Sequence, residues 1–199
     1  MALTIGLTGS IASGKSTVSL MFDDYRIPMV DADKLSRDVV RPGEQAYEQI
    51  IDTFGTDILR NDKSIDRKQL GSIVFADETK LQQLNAIVHP AIREKMLTTR
   101  DSLIHAGASC VVLDIPLLFE SKLTHFVDKT LVVFVDEEVQ LKRLMERDHF
   151  TEEEAIQRIQ SQIPVKEKAA MADAVIDNNG TKYQSYEQLE TVLKEWKVI

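Results

Sequence analysis

One cysteine in 199 residues excludes an internal disulfide. Cys110 stands beside Val111-Val112-Leu113, where the expected state is a buried, small apolar thiol. Positive charge is in deficit: 24 Lys and Arg against 32 Asp and Glu leave a net charge of -8. That balance argues against a duplex nucleic acid partner, because phosphate backbones are held by clustered Lys and Arg in surplus. No run approaches the roughly 18 apolar residues that a membrane helix needs. No N-terminal segment joins a basic flank to a long apolar run and a small-residue cleavage site, so a soluble, cytoplasmic chain is expected. Internal repeats, low-complexity tracts and disordered linkers are also missing. The length suits one α/β domain with insertions.

What is present starts at the N-terminus. The apolar run Ala2-Leu3-Thr4-Ile5-Gly6-Leu7-Thr8 leads directly into Gly9-Ser10-Ile11-Ala12-Ser13-Gly14-Lys15-Ser16, a complete G-x-x-x-x-G-K-[ST] phosphate-binding loop. The chemistry needs this spacing because the loop turns its backbone N–H groups around the phosphates of a nucleotide while Lys15 reaches the β- and γ-phosphates. Ser16 offers its hydroxyl to Mg²⁺. A glycine turn with a solvated lysine would share the residues but not the strand before and the helix after.

Short apolar runs alternate with longer amphipathic segments, the pattern of parallel strands covered by helices. The predicted strands are Leu3 to Thr8, Pro28 to Val30, Val111 to Asp114, Thr130 to Val135 and Ala174 to Ile176. The predicted helices are Lys15 to Phe22, Asp33 to Val40, Gln45 to Phe54, Arg67 to Phe75, Glu78 to Ile104, Glu137 to Asp148, Glu152 to Gln162, Lys166 to Met171 and Ser185 to Trp196. Thr151 and Glu154 form a capping-box signature. The fold class is therefore α/β: a P-loop NTPase-type parallel sheet of about five strands flanked by helices. Its expected core comprises 1–30, 106–136 and 166–199. Residues 31–105 contain no good strand and read as an inserted helical substrate region. Residues 137–165, which carry Arg143, Arg147 and Arg158, read as a lid.

Asp31-Ala32-Asp33 falls after the second predicted strand, at the edge where an open α/β sheet places its ligands. Asp33 is the candidate for accepting or orienting the proton of an attacking hydroxyl; as a simple helix cap it would have no such role. Asp31 is a possible metal ligand. Asp114 ends the Val111-Val112-Leu113 strand, where a carboxylate sits near Mg²⁺ or its water shell, although any strand-end turn would look alike. Pro116 then breaks the strand and presents Leu117, Leu118 and Phe119 at the sheet edge, toward an organic substrate. His89 and Arg93 lie four apart on one helix face, suited to an anionic group, though a solvated Arg93 reads equally from the pattern. Pro90 between them must start or kink a helix. Arg143 and Arg147 also share a face and could offset charge on a transferring phosphoryl, or form a surface network with Glu146 and Asp148. Asp177-Asn178-Asn179-Gly180 follows the last strand, where it forms a turn and could bring Asn178 toward a nucleotide.

GSIASGKS at 9–16, DAD at 31–33, HPAIR at 89–93, DIPLLFE at 114–120, RLMERD at 143–148 and DNNG at 177–180 together resemble the dephospho-coenzyme A kinases through nearly the whole chain. DIPLLFE and HPAIR are the discriminating pieces, since the phosphate loop is common to many kinases. The resemblance implies transfer of the γ-phosphoryl of ATP to the ribose 3′-hydroxyl of dephospho-CoA, the last step of coenzyme A synthesis, with ATP and Mg²⁺ bound. It implies that Gly9, Ser10, Ile11, Ala12, Ser13, Gly14, Lys15, Ser16 and Thr17 cradle ATP together with Arg143 and Asn178. Asp33, Lys15 and Arg143 would be the catalytic set. Thr8, Asp33, His89, Arg93, Leu117 and Phe119 would lie toward the acceptor, and Ser16, with Asp31 or Asp114, toward the metal. Ser10 and Ala12 depart from the resemblance, since similar chains often carry glycines there. A kinase for another small acceptor would share loop and lid. A GTP-dependent switch would need an N-K-x-D motif after the fourth strand, where Val135-Asp136-Glu137-Glu138 stands instead. Oligomeric state is left open by the sequence.

Overall fold

The computed structural model describes residues 2–199. Its five strands are β1 (Leu3–Gly9), β2 (Met29–Asp31), β3 (Cys110–Asp114), β4 (Lys129–Phe134) and β5 (Ala174–Asp177), in sheet order β2-β3-β1-β4-β5. β1 pairs in parallel with β3 and β4, and β4 with β5. All five predicted strands are there, with no end moved by more than one residue. In β2 the shift has a plain cause: Pro28 contributes only its carbonyl, which accepts from the Val112 amide at 2.9 Å. Proline has no N–H to give a ladder, so the strand begins after it.

The helices are α1 (Lys15–Met21), α2 (Ala32–Asp38), α3 (Gln45–Phe54), α4 (Arg67–Phe75), α5 (Glu78–His105), α6 (Glu137–Asp148), α7 (Glu152–Gln160), α8 (Val165–Met171) and α9 (Lys182–Glu195). Both cap signatures near the C-terminal half are built. Thr151 and Glu154 form the predicted capping box on α7, and Thr181 with Gln184 forms a second on α9. The second starts α9 three residues before its predicted start, because Thr181-Lys182-Tyr183-Gln184 is itself the T-x-x-Q pattern. Pro90 neither starts nor ends a helix; it lies inside α5. The ring removes one amide donor from that turn without ending the helix.

The chain forms two compact units. One comprises the residues up to Val30 with Ser102–Ile199, the other Asp31–Asp101. In the first, side chains alternate across the sheet as strand geometry requires. Ile5, Leu7, Cys110, Val112, Leu131 and Val133 point to one face and form a core with Val18, Phe22, Leu189 and Leu193 of the α1 and α9 side. Burial pushes the Cys110 thiol up to about 12, with Asp128 adding to it, so this cysteine is a core hydrophobe as expected. On the opposite face Gly6 leaves room for Leu118: a Cβ on Gly6 would approach the Leu118 side chain to 2.9 Å. The second unit has its own core of Tyr47, Ile50, Ile58, Ile65, Leu70 and Val74.

Candidate active site

The phosphate loop joins β1 to α1, and its shape is set by what meets its carbonyl groups. Gly9 O accepts from the Lys168 ammonium at 3.2 Å, Ile11 O from the Gln140 side-chain amide at 2.8 Å, and Ser13 O from the Asn178 side-chain amide at 2.8 Å. The carbonyl of Ser10, between them, accepts from the Ser13 amide at 3.0 Å. With these carbonyls engaged, the amides of Ala12, Gly14, Lys15 and Ser16 find no acceptor in the chain among the described residues. An uncommitted set of N–H groups at a helix N-terminus is an anion site. Gly14 caps α1 at φ 84, and Ala12 sits at φ 58, a left-handed backbone in which alanine is strained. A glycine at position 12 would adopt that conformation freely. Ser10 has no such backbone.

Lys15 forms an ion pair with Asp114 at the end of β3, and Ser19 donates to the other carboxylate oxygen at 3.3 Å. Asp114 is only 5% exposed. Asp114 is thus a buried carboxylate that sits against the lysine of the G-x-x-x-x-G-K-[ST] loop. Ser16 is exposed in the first turn of α1, beside the same anion site. A hydroxyl and a carboxylate are the hard oxygen donors that Mg²⁺ takes, and no cluster of three or more His, Cys, Asp or Glu side chains stands among the described residues. That donor set suits a cation held largely by phosphate oxygens and water.

Arg143 reaches the loop from α6. One guanidinium nitrogen donates to Asn178 O at 3.0 Å, and the other would lie 3.7 Å from a Cβ on Gly14. Arg147 does not accompany it. Both ends of its guanidinium donate to Asp148, at 2.9 and 2.8 Å, which raises Arg147 and lowers Asp148 through that bond. The single cationic face expected of α6 thus divides into one arginine on the loop and one in a surface pair. Arg158 stacks over the Phe150 ring at 4.1 Å.

Two residues expected toward ligands make bonds within the chain. Asn178 is buried, its amide nitrogen bonded to Ser13 O and its oxygen accepting from Ser185 at 2.8 Å, so its side chain shapes the loop. Thr8 is fully buried and its hydroxyl donates to Pro116 O at 2.9 Å, fixing the turn after β3. That turn leaves Leu117 exposed at 41%, Phe119 half-buried and Leu118 in the core.

Asp31, Asp33, His89 and Arg93 belong to the helical unit. Asp31, not Asp33, caps α2, accepting from the Lys34 amide at 3.0 Å. Asp33 is exposed in the first helical turn. His89 is exposed and Arg93 half-buried, one turn apart on α5.

Residues 3–184 match the family model described as dephospho-CoA kinase. The chain belongs to the dephospho-CoA kinase family. A relative named dephospho-CoA kinase from Oceanobacillus iheyensis is 57% identical over 198 residues, covering the full length of both chains. The solved dephospho-CoA kinase from Campylobacter jejuni is 32% identical, with a TM-score of 0.75 over 98% of each chain. A shikimate kinase from Bacteroides thetaiotaomicron, 16% identical with a TM-score of 0.52 over 98% of each chain, shares the fold alone. The dephospho-CoA kinase sequence pieces at 9–16, 114–120 and 143–148 map onto the loop, the Asp114 turn and the arginine helix described above. Gln140, Gln162, Glu120 and Lys168, which hold the loop or its neighbours, carry no spacing signal. They approach only through the tertiary fold.

Proposed function

We propose that this chain transfers the γ-phosphoryl of ATP to the ribose 3′-hydroxyl of dephospho-CoA, the closing step of coenzyme A synthesis. The observation that carries the acceptor is the 57% identity to a dephospho-CoA kinase across both full lengths; the loop alone supports only an ATP-dependent kinase. The acceptor oxygen attacks the γ-phosphorus, the bond to the β,γ-bridging oxygen breaks, and ADP leaves. Asp33 accepts the hydroxyl proton. Lys15 and the loop amides hold the phosphates in line, and Arg143 offsets charge on the transferring group. Ser16 with Asp114 is the donor set that would hold Mg²⁺, which would supply positive charge against the charge developing on the phosphoryl group. Asp31, a helix cap, is the weaker metal candidate. Leu117, Phe119, His89 and Arg93 contact the acceptor. Residues 137–165 act as a lid, and 31–105 as the acceptor-binding insertion. The enzyme works in the cytoplasm, where ATP is made, on small molecules and without nucleic acid.

ADP release with ATP-Mg²⁺ against dephospho-CoA, adenosine, AMP, gluconate and shikimate tests this, with product mass locating the phosphate. Turnover confined to dephospho-CoA is expected. Turnover only with another acceptor would retain the kinase and overturn the substrate.

A further inference from the structure

Lys168 is the one lysine with no exposed surface among the described residues. Two positions away on α8, Lys166 is exposed, as lysines ordinarily are. A buried ammonium persists only where its donors are matched. Here one goes to the carbonyl of Gly9 at 3.2 Å and another to Oε1 of Glu120 at 2.6 Å. The same Glu120 oxygen accepts from the Ile163 amide at 3.2 Å. Glu120 ends the segment that follows Asp114, and Ile163 lies between α7 and α8. Ile163 O in turn accepts from the Ser10 hydroxyl at 3.4 Å, and the neighbouring Gln162 side chain accepts from the Ile11 amide at 2.9 Å.

We infer that Lys168 is a positioning residue for phosphoryl transfer, holding the first carbonyl of the phosphate loop outward while Glu120 fixes its ammonium in place. This rests on the kinase reading above. The reason is local. Gly9 is where β1 turns into the loop, so rotation of that peptide re-aims the amides that follow it. Gly9 O and Glu120 Oε1 bracket one ammonium that has no solvent to turn toward, so the peptide cannot rotate without leaving one buried N–H of that ammonium unmatched. Small misplacement of a phosphoryl group costs far more in rate than in binding. Lys168 touches no substrate; it acts through Gly9.

The test separates positioning from simple stabilisation. Lys168→Met keeps the length and apolar stem but leaves Gly9 O without its donor and the Glu120 carboxylate without its counter-charge. Lys168→Met with Glu120→Gln removes the unmatched charge and leaves only the Gly9 carbonyl without its donor. Thermal melting, equilibrium ATP binding, kcat and KM are measured for each. The expected result is a double variant whose melting temperature recovers toward the wild type while kcat stays lower by roughly ten- to a hundredfold. Recovery of kcat along with melting temperature would overturn the proposal and leave Lys168 as half of a stabilising pair. Glu120→Gln alone gives a second reading should the lysine variants not fold. It retains an acceptor for the ammonium, so its melting temperature falls while its kcat stays within a few-fold of the wild type, whereas a collapse of kcat with unchanged melting would assign the role to Glu120 instead. If the wild type itself turns over a different acceptor, the function reading fails and the comparison of variants on that acceptor still decides Lys168.

Discussion

In the phosphate loop the carbonyls of Gly9, Ile11 and Ser13 are each met by a side chain from a distant part of the chain, and Lys15 is already paired with Asp114. In the helical unit Asp33 and His89 are exposed on helix turns, and Asp31 is engaged as a cap. The proposed donor side is built into the fold; the proposed acceptor side is displayed on the helical unit. This follows from what each must hold. A triphosphate presents the same oxygens to every kinase, and fixed N–H groups match them. On the donor side, function and stability then depend on the same residues, while on the acceptor side they separate.

The largest effect should come from the displayed side. Asp33→Asn removes the proposed proton acceptor and should lower kcat by about 10²–10⁴-fold. Stability should change by no more than about 0.5 kcal/mol, because the side chain is exposed. Single-turnover kinetics beside thermal melting check both. A variant with normal turnover and intact ATP binding would remove Asp33 from the mechanism. A variant that also melts early would break the contrast between the two regions.

Gly14→Ala probes the built side. The residue sits at φ 84, and an added Cβ would collide with the Asn178 amide. The expected loss is about 3 kcal/mol, or some 6–12 °C in melting temperature at ~2–4 °C per kcal/mol, together with weaker ATP binding. Asn178→Ala is the same contact from the other end. It leaves Ser13 O and the Ser185 hydroxyl without their partner and should cost about 2 kcal/mol. Were Asn178→Ala to weaken ATP without lowering stability, the amide would belong to the nucleotide after all.

How much of this could be read from residues alone divides along the same line. The strand run, loop spacing and following helix are contiguous, so the donor site was legible; so were the α7 capping box and the burial of Cys110. Arg143 and Arg147 look equivalent in RLMERD, because helical spacing says which face they share but not that Asp148 will capture one of them. Thr8, expected toward the acceptor, and Asn178, expected toward the nucleotide, both bond to backbone carbonyls, since a buried hydroxyl or amide must find a partner and the pattern of the sequence does not say which. Lys168 was invisible. In Val165-Lys166-Glu167-Lys168 nothing local distinguishes the buried lysine from the exposed one.

A smaller effect lies at the far end of β4, away from the loop. Asp173 Oδ2 accepts from the amide and hydroxyl of Thr130, each at 2.8 Å. Partial burial would raise the Asp173 carboxyl, but these bonds and Lys129 outweigh it and hold the group below its ordinary 3.8. A carboxyl lowered on folding stabilises the protein above the unfolded value, and that stability is lost as pH falls through the lowered one. Asp173→Asn should therefore flatten the acid side of a melting-temperature profile below about pH 4 while leaving kcat at neutral pH unchanged. The group is part-exposed, so solvent screening keeps the effect under about 1 kcal/mol.

Ala12→Gly should give the smallest change, and its sign is informative. The left-handed backbone at φ 58 costs an alanine about 1–2 kcal/mol. Glycine removes that strain but gains about 0.5–1 kcal/mol of unfolded-chain freedom. The balance predicts a gain of some tenths of a kcal/mol, up to about 1, in urea unfolding. The kinetic consequence runs the other way: a loop freed at position 12 is held only by its side-chain clamps, so KM for ATP should rise slightly if those clamps leave slack. Should stability rise with KM unchanged, the bonds to Gly9, Ile11 and Ser13 suffice to fix the loop, and the strain at Ala12 does nothing for binding. Should stability fall, the Ala12 methyl makes a contact worth more than the strain, and the loop is less like an unconstrained anion nest than its backbone implies.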